Sequence, residues 1–222
     1  PRMSCTIFQE LAPAPVSFGL PNKFQTFRPA QLQALDFAVY GSQRKFTALG
    51  LPTGSGKTAL AFAIARALGV KAVYLTATRA LQDQASAEMA EISRDVRGWS
   101  NYDCKQMYFG SRRAPSCEYG AKNGCHLPGT PDCPRTAAVL AAESAMLVTS
   151  NYSCWMHLRR YNRAALEGDG PPVELLIADE AGEIPDQVCS FLAVDLAFAD
   201  EELPFSAPSR GAEAPSGIMP EE

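Results

Sequence analysis

The sequence predicts an α/β fold: a parallel sheet covered by helices on both faces and interrupted by one cysteine-rich insertion. Three observations predict it. Apolar runs of strand length alternate with helical stretches, the rhythm that parallel strands with helical crossovers require. A glycine-rich turn joins the first such run to the first such helix. Between Gly98 and Pro134 the rhythm stops, and Gly, Pro, Arg, aromatic residues and cysteine take over. With 222 residues, 46% hydrophobic and 20% charged, the chain has material for one moderate domain plus that insertion. Composition excludes low-complexity, collagen-like and wholly disordered classes. No window approaches the roughly 18 consecutive apolar residues of a membrane-spanning helix, so no membrane partner is expected.

Taken in order, Phe46-Thr47-Ala48-Leu49-Gly50-Leu51 reads as a buried strand. Thr58 to Leu68, TALAFAIARAL, is apolar nearly all round, which suits a helix packed on a sheet, and Gly69 is a natural C-terminal stop. Lys71 to Thr76 (KAVYLT) is the next strand, and Arg79 to Ile92, rich in Ala, Gln and Glu, the next helix. Met146 to Thr149 and Val173 to Ala178 are two further strands, the second entered through Gly170-Pro171-Pro172. Residues 1–27 form a lead-in, 28–98 together with 134–200 the main lobe, and 99–133 the insertion. An insertion of that length without apolar periodicity needs something else to fold it. Residues 201–222, rich in Pro, Ser, Ala and Glu, are expected to be a disordered tail.

The net charge of -4 hides an uneven distribution: residues 1–93 carry +4, residues 94–163 carry +5 and residues 164–222 carry -13. A basic middle can track a phosphate backbone, although charge alone describes a solvated surface equally well.

Seven cysteines demand an explanation. The start, Pro1-Arg2-Met3-Ser4-Cys5, has no signal-peptide apolar core, so a reducing cytoplasmic setting is expected and metal binding outranks disulfides. The four cysteines of the insertion, Cys104, Cys117, Cys125 and Cys133, are spaced C-x12-C-x7-C-x7-C. Without a C-x-x-C pair the pattern weakens a zinc ribbon, and four thiolates can instead surround a cubane cluster. On spacing alone zinc stays open, and His126 beside Cys125 is a rival ligand. Cys5, Cys154 and Cys189 read as small apolar residues.

The sharpest chemical signal is Leu51-Pro52-Thr53-Gly54-Ser55-Gly56-Lys57-Thr58 between a predicted strand and a predicted helix. Phosphate-binding loops need that context. Glycines let backbone N–H groups turn inward, the helix N-terminus adds its dipole, Lys57 reaches the β- and γ-phosphates, and Thr58 helps to hold Mg²⁺. Leu51 stands where the usual pattern has its first glycine. At the end of the last predicted strand come Asp179 and Glu180. Beside a phosphate loop, such an Asp can hold Mg²⁺ through water and the Glu can orient the attacking water.

Arg28-Pro29-Ala30-Gln31, LPTGSGKT, Thr76 to Gln84, the cysteine-rich insertion, Val148-Thr149-Ser150-Asn151-Tyr152 and Asp179-Glu180-Ala181-Gly182 stand in the order of a superfamily 2 DNA helicase. With cysteines between motif Ia (Thr76 to Gln84) and motif II (Asp179 to Gly182), the chain resembles the DinG/XPD-type iron–sulfur helicases and their phage-borne relatives. The resemblance runs from about Arg28 to Gln187 and covers the first motor lobe only. It implies a RecA-like P-loop domain, ATP and Mg²⁺ as cofactors, a 4Fe-4S cluster in preference to zinc, and single-stranded or forked DNA as partner. It places the chain in the cytoplasm of a bacterial or phage-infected cell. By the same resemblance Gln31, with Arg28, would read the adenine edge, and Thr78, Arg79 and Gln82 would face DNA, as would Asn151 and Tyr152, although core packing would account for Tyr152 equally well.

Basic and aromatic residues interleaved with the cysteines, among them Trp99, Lys105, Arg112, Arg113, Tyr119 and Arg135, suit a single-strand guide. Shielding of the cluster would use the aromatics equally well. Two departures stand out. Gly182 replaces the His usual as the fourth letter of its motif, and no second motor lobe with its arginine-bearing motif follows. The expectation is therefore the ATP-binding lobe of a 5'-to-3' DNA helicase. The alternative is a non-hydrolysing nucleotide- and DNA-binding module acting through a partner.

Overall fold

The computed structural model describes residues 6–41, 45–105, 108–109, 112–113, 116–125, 129–161 and 166–193. Contacts divide the chain into one compact unit, Pro1–Phe191, and a second, Leu192–Glu222, of which residues 192–193 are described. The expected disordered tail, Cys5 and His126 lie outside the described residues.

The fold is built on β1 (Lys71–Thr76), all six of whose residues are buried. Its side chains alternate between two cores, as a strand's must when both faces are covered. Ala72 and Tyr74 enter one core with Leu60, Phe62 and Ala63 of helix α3 (Lys57–Leu68). Val73 and Leu75 enter the other with Tyr152 and Leu158 of helix α7 (Tyr152–Tyr161). β1 pairs in parallel with β5 (Leu147–Asn151) on one side and β6 (Val173–Ala178) on the other, and the short β2 (Arg94–Asp95) extends the sheet beyond β5. The order β2-β5-β1-β6 gives the parallel α/β sheet that the apolar runs predict.

Local chemistry sets the helix ends. α3 stops at Gly69, whose φ of 68° lets its N–H turn back to the Ala65 and Arg66 carbonyls. α4 (Arg79–Glu88) starts where the Thr78 hydroxyl accepts the Leu81 N–H. It ends short of the expected Ile92. The lead-in packs firmly: Asp36, at the end of α2 (Pro29–Asp36), is buried and its carboxylate accepts the Phe8 and Gln9 N–H groups of α1 (Ile7–Leu11). Phe8 and Leu20 thereby join the α3 core. Lys71, fully buried at the start of β1, donates to the carbonyl oxygens of Glu143 and Leu166. Burial pushes its ammonium below the ordinary lysine value.

One expected strand is absent. Residues 46–51 are not in a strand; Phe46 is 82% exposed, beneath the Lys45 ammonium. An apolar run becomes a strand only where a neighbour accepts its ladder bonds, and none pairs with these residues among those described. Their apolar content is partly used another way, because Leu49 and Leu51 pack against the α3 core.

The insertion holds a two-stranded hairpin of β3 (Tyr108–Phe109) and β4 (Arg112–Arg113), the helix α5 (Cys117–Lys122) and an exit into α6 (Pro134–Glu143). None of these short elements is legible in its hydrophobic pattern.

Candidate nucleotide-binding site

The C-terminal end of the parallel sheet meets the N-terminus of α3, where open α/β sheets present their ligand crevice. Gly54 and Gly56 adopt φ of 73° and 79°, and this left-handed backbone wraps the loop around the helix start. Leu51, in place of a first glycine, serves the core instead. The loop is tied to α2 from outside. Gln31 Nε2 donates to the Ser55 carbonyl at 2.8 Å and the Gly56 carbonyl at 3.3 Å, while its Oε1 accepts the Arg28 N–H at 2.7 Å. Arg28 Nη1 donates to the Gly54 carbonyl at 2.8 Å. The Gln31 amide, expected to read adenine, is thus engaged with the loop backbone and buried. Thr53 is exposed at the loop tip, Thr58 is half-buried on the first turn of α3, and the Ser55 hydroxyl is buried with no hydrogen-bond partner.

Asp179 and Glu180 arrive from the other side. The Asp179 N–H extends the ladder by donating to the Leu75 carbonyl at 2.9 Å. The Tyr152 hydroxyl donates to the Asp179 carbonyl at 2.7 Å. Glu180 then turns sharply, with φ of 49°, a left-handed conformation that costs a side-chain-bearing residue about 1 kcal/mol or more. The turn brings Glu180 Oε1 within 2.9 Å of Lys57 Nζ. That hydrogen-bonded carboxylate holds the Lys57 ammonium above its ordinary value. Motifs 123 residues apart therefore face each other across one crevice.

The residues expected to face DNA divide. Thr78 and Arg79 are exposed at the start of α4. Gln82 is fully buried, and the expectation for it is corrected: its amide donates to Asp95 Oδ1 at 2.6 Å and the Val96 carbonyl at 3.1 Å, and accepts from Asn151 Nδ2 at 2.8 Å. Asn151 itself caps α7, its Oδ1 accepting the Cys154 N–H at 2.8 Å. Tyr152 is buried, which fits the core-packing alternative; burial, with Asp179 and Glu180 nearby, pushes its phenol up to about 12. Arg112 and Arg113 are placed as backbone of β4, and their side chains lie outside the described residues. Much of the remaining basic charge is spent internally. Arg97 pairs with Asp83 and Asp95, Lys122 with Glu118, and Arg135 stacks on Trp99 at 4.3 Å.

The insertion cysteines gather around α5. Cys104, Cys117 and Cys133 are buried and Cys125 is half-buried. The Sγ atoms of Cys117 and Cys133 lie 4.0 Å apart. Gly120 leaves room that a side chain would take, since an added Cβ would meet Cys104 Sγ at 2.8 Å and Cys125 Cβ at 3.6 Å. Burial, then the neighbouring Cys133, pushes the Cys117 thiol up to about 11. Among the described residues no group of three or more His, Cys, Asp or Glu side chains is arranged to hold a metal ion, and no helix is long and apolar enough to cross a membrane.

Tyr74 is a group of this region that sequence reasoning misses; the available signal is a polar end inside an all-buried strand.

No curated protein and no solved structure matches the chain. The sequence does match the family described as "Type III restriction enzyme, res subunit" over residues 24–187 of 222, a span that starts just before α2 and ends within α8 (Ile184–Leu192). That span takes in the phosphate loop, its Gln31 tether and the acidic pair facing Lys57, so the chain belongs to this family and carries an ATP-binding motor lobe of the superfamily 2 helicase type.

Proposed function

We propose that this lobe binds Mg²⁺-ATP and, working with a second motor lobe, couples hydrolysis to 5'-to-3' movement on single-stranded DNA in the manner of DinG/XPD-type iron–sulfur helicases. The observation that carries the reading is the 2.9 Å approach of Lys57 to Glu180, which sets a phosphate-seeking cation and a water-orienting carboxylate on opposite walls of one crevice. Backbone N–H groups at the start of α3 receive the phosphates, and Lys57 leaves Glu180 for the β- and γ-phosphates. Glu180, released, orients the attacking water. Thr58 and Asp179 supply the hard oxygen donors that Mg²⁺ takes, and the ion would neutralise charge on the transferred phosphoryl group.

Thr78 and Arg79, with Arg112 and Arg113 of the insertion, form the DNA track in this reading. Cys104, Cys117, Cys125 and Cys133 hold a 4Fe-4S cluster. All-thiol donors and the burial of three of them support a soft metal centre; the preference for iron over zinc rests on the resemblance. The non-hydrolysing module has one observation in its favour. Gly182 faces open space, with no side chain to relay hydrolysis to DNA.

Anaerobic purification followed by metal analysis and an ATPase assay with single-stranded DNA tests both parts. About four irons per chain and Mg²⁺-ATP binding abolished by Lys57→Ala are expected. Turnover by residues 1–222 alone should stay near background, because an arginine from a second lobe is worth about 10³ to 10⁵ in rate. Stoichiometric zinc would overturn the cluster, and failure to bind Mg²⁺-ATP would overturn the motor lobe.

A further inference from the structure

Tyr74 is a buried polar group to which no role has yet been given. It sits in the middle of β1, opposite Ile177 of β6, and is 3% exposed. Its ring packs on Phe62 with centroids 5.5 Å apart. Thr58 lies one turn before Phe62 on the same face of α3, and Asp179 lies two residues beyond Ile177 at the end of β6. The hydroxyl therefore points into the space between the two residues that offer Mg²⁺ its oxygen donors. It lies near enough to both for a weak side-chain contact with each, but neither stands within hydrogen-bonding distance. Leaving a buried hydroxyl unmatched costs about 1–3 kcal/mol, and a phenylalanine would fill the same space without that cost.

We propose that Tyr74 is a positioning residue of the magnesium site, with a hydroxyl that finds both of its hydrogen bonds only when Mg²⁺-nucleotide is bound. A Thr58 hydroxyl that gave a lone pair to the ion would keep its proton and donate it in a hydrogen bond to Tyr74 Oη. The Tyr74 O–H would in turn donate to the Asp179 carboxylate, fixing that side chain. Bonds to a charged acceptor are the stronger kind, so the loaded site gains what the empty one lacks. This rests on the motor-lobe reading and deepens it: the residue answers to the metal, and not to the nucleotide base or to DNA.

The test compares the full chain with Tyr74→Phe in three measurements: thermal unfolding without ligand, ADP affinity with and without Mg²⁺, and Mn²⁺ binding in the presence of ADP followed by electron paramagnetic resonance. Removing the orphaned hydroxyl should raise the unfolding temperature of the empty protein. The gain in ADP affinity brought by Mg²⁺ should fall about ten-fold, as should Mn²⁺ affinity. Equal metal dependence in the two proteins would overturn the proposal while leaving the nucleotide site intact. A lowered unfolding temperature would also overturn it, because the hydroxyl would then be satisfied in the empty state. ADP binding by the wild-type protein that ignores Mg²⁺ would overturn the magnesium site itself.

Discussion

Replacing Glu180 by Gln should tighten the binding of metal-free nucleotide. In the empty lobe the carboxylate occupies the ammonium that phosphates need, at 2.9 Å from Lys57 Nζ. Coulomb's law at that separation gives about 1.4 kcal/mol in bulk water. The side chains are 30% and 52% exposed, and pairs so open to solvent measure about 0.2–1 kcal/mol. Removing the competing charge should therefore improve affinity by roughly 1.4- to 5-fold, since about 1.4 kcal/mol is a ten-fold change. A fluorescent ADP analogue titrated in low salt and EDTA reads this directly, and the gain should shrink as added salt screens the pair. Glu180 raises the Lys57 value, so the bridge is fully present below the ordinary lysine pKa and is lost as pH rises through the folded one. The advantage of Glu180→Gln should thus be level from about pH 7 to 9. Unchanged or weaker metal-free binding would refute the idea that Glu180 and phosphate compete for Lys57.

Lys71→Met should destabilise the fold by about 1–3 kcal/mol in urea unfolding, because the Glu143 and Leu166 carbonyls lose their shared donor. With its folded value lowered, Lys71 sheds its proton before the unfolded chain does, so wild-type stability should climb as pH rises from the folded value toward 10.5, and the Met variant should lack that climb. For DNA, Arg112→Glu with Arg113→Glu should reduce the salt dependence of single-strand binding, each lost phosphate contact removing about 0.7 from the log–log slope. An unchanged slope would return these arginines to the solvated surface.

The sequence was legible where burial alone decides structure. KAVYLT is a strand buried on both faces, TALAFAIARAL is a helix whose first seven residues after Thr58 are buried, and both run where their apolar patterns say. Residues 46–51 have the same apolar look, but their state depends on a pairing partner that no local pattern encodes. In the site, the motif residues come together, yet a motif cannot say which amide is already engaged. Gln82 and Gln31 have the same chemistry; one is consumed by Asp95 and Val96, the other by the phosphate loop. Tyr152 likewise spends its hydroxyl on the backbone that carries Asp179.

The tether from α2 to the phosphate loop has a consequence for the entropy of binding. A peptide plane carries its carbonyl and the next N–H on opposite sides, so anchoring the Ser55 and Gly56 carbonyls on Gln31 turns the Gly56 and Lys57 N–H groups the other way. Fixing a residue's backbone costs about 1–2 kcal/mol, and here that ordering is completed during folding. An arriving phosphate meets a cradle already set, keeps more of its contact energy as affinity, and is slowed less by any search of the loop for the right shape.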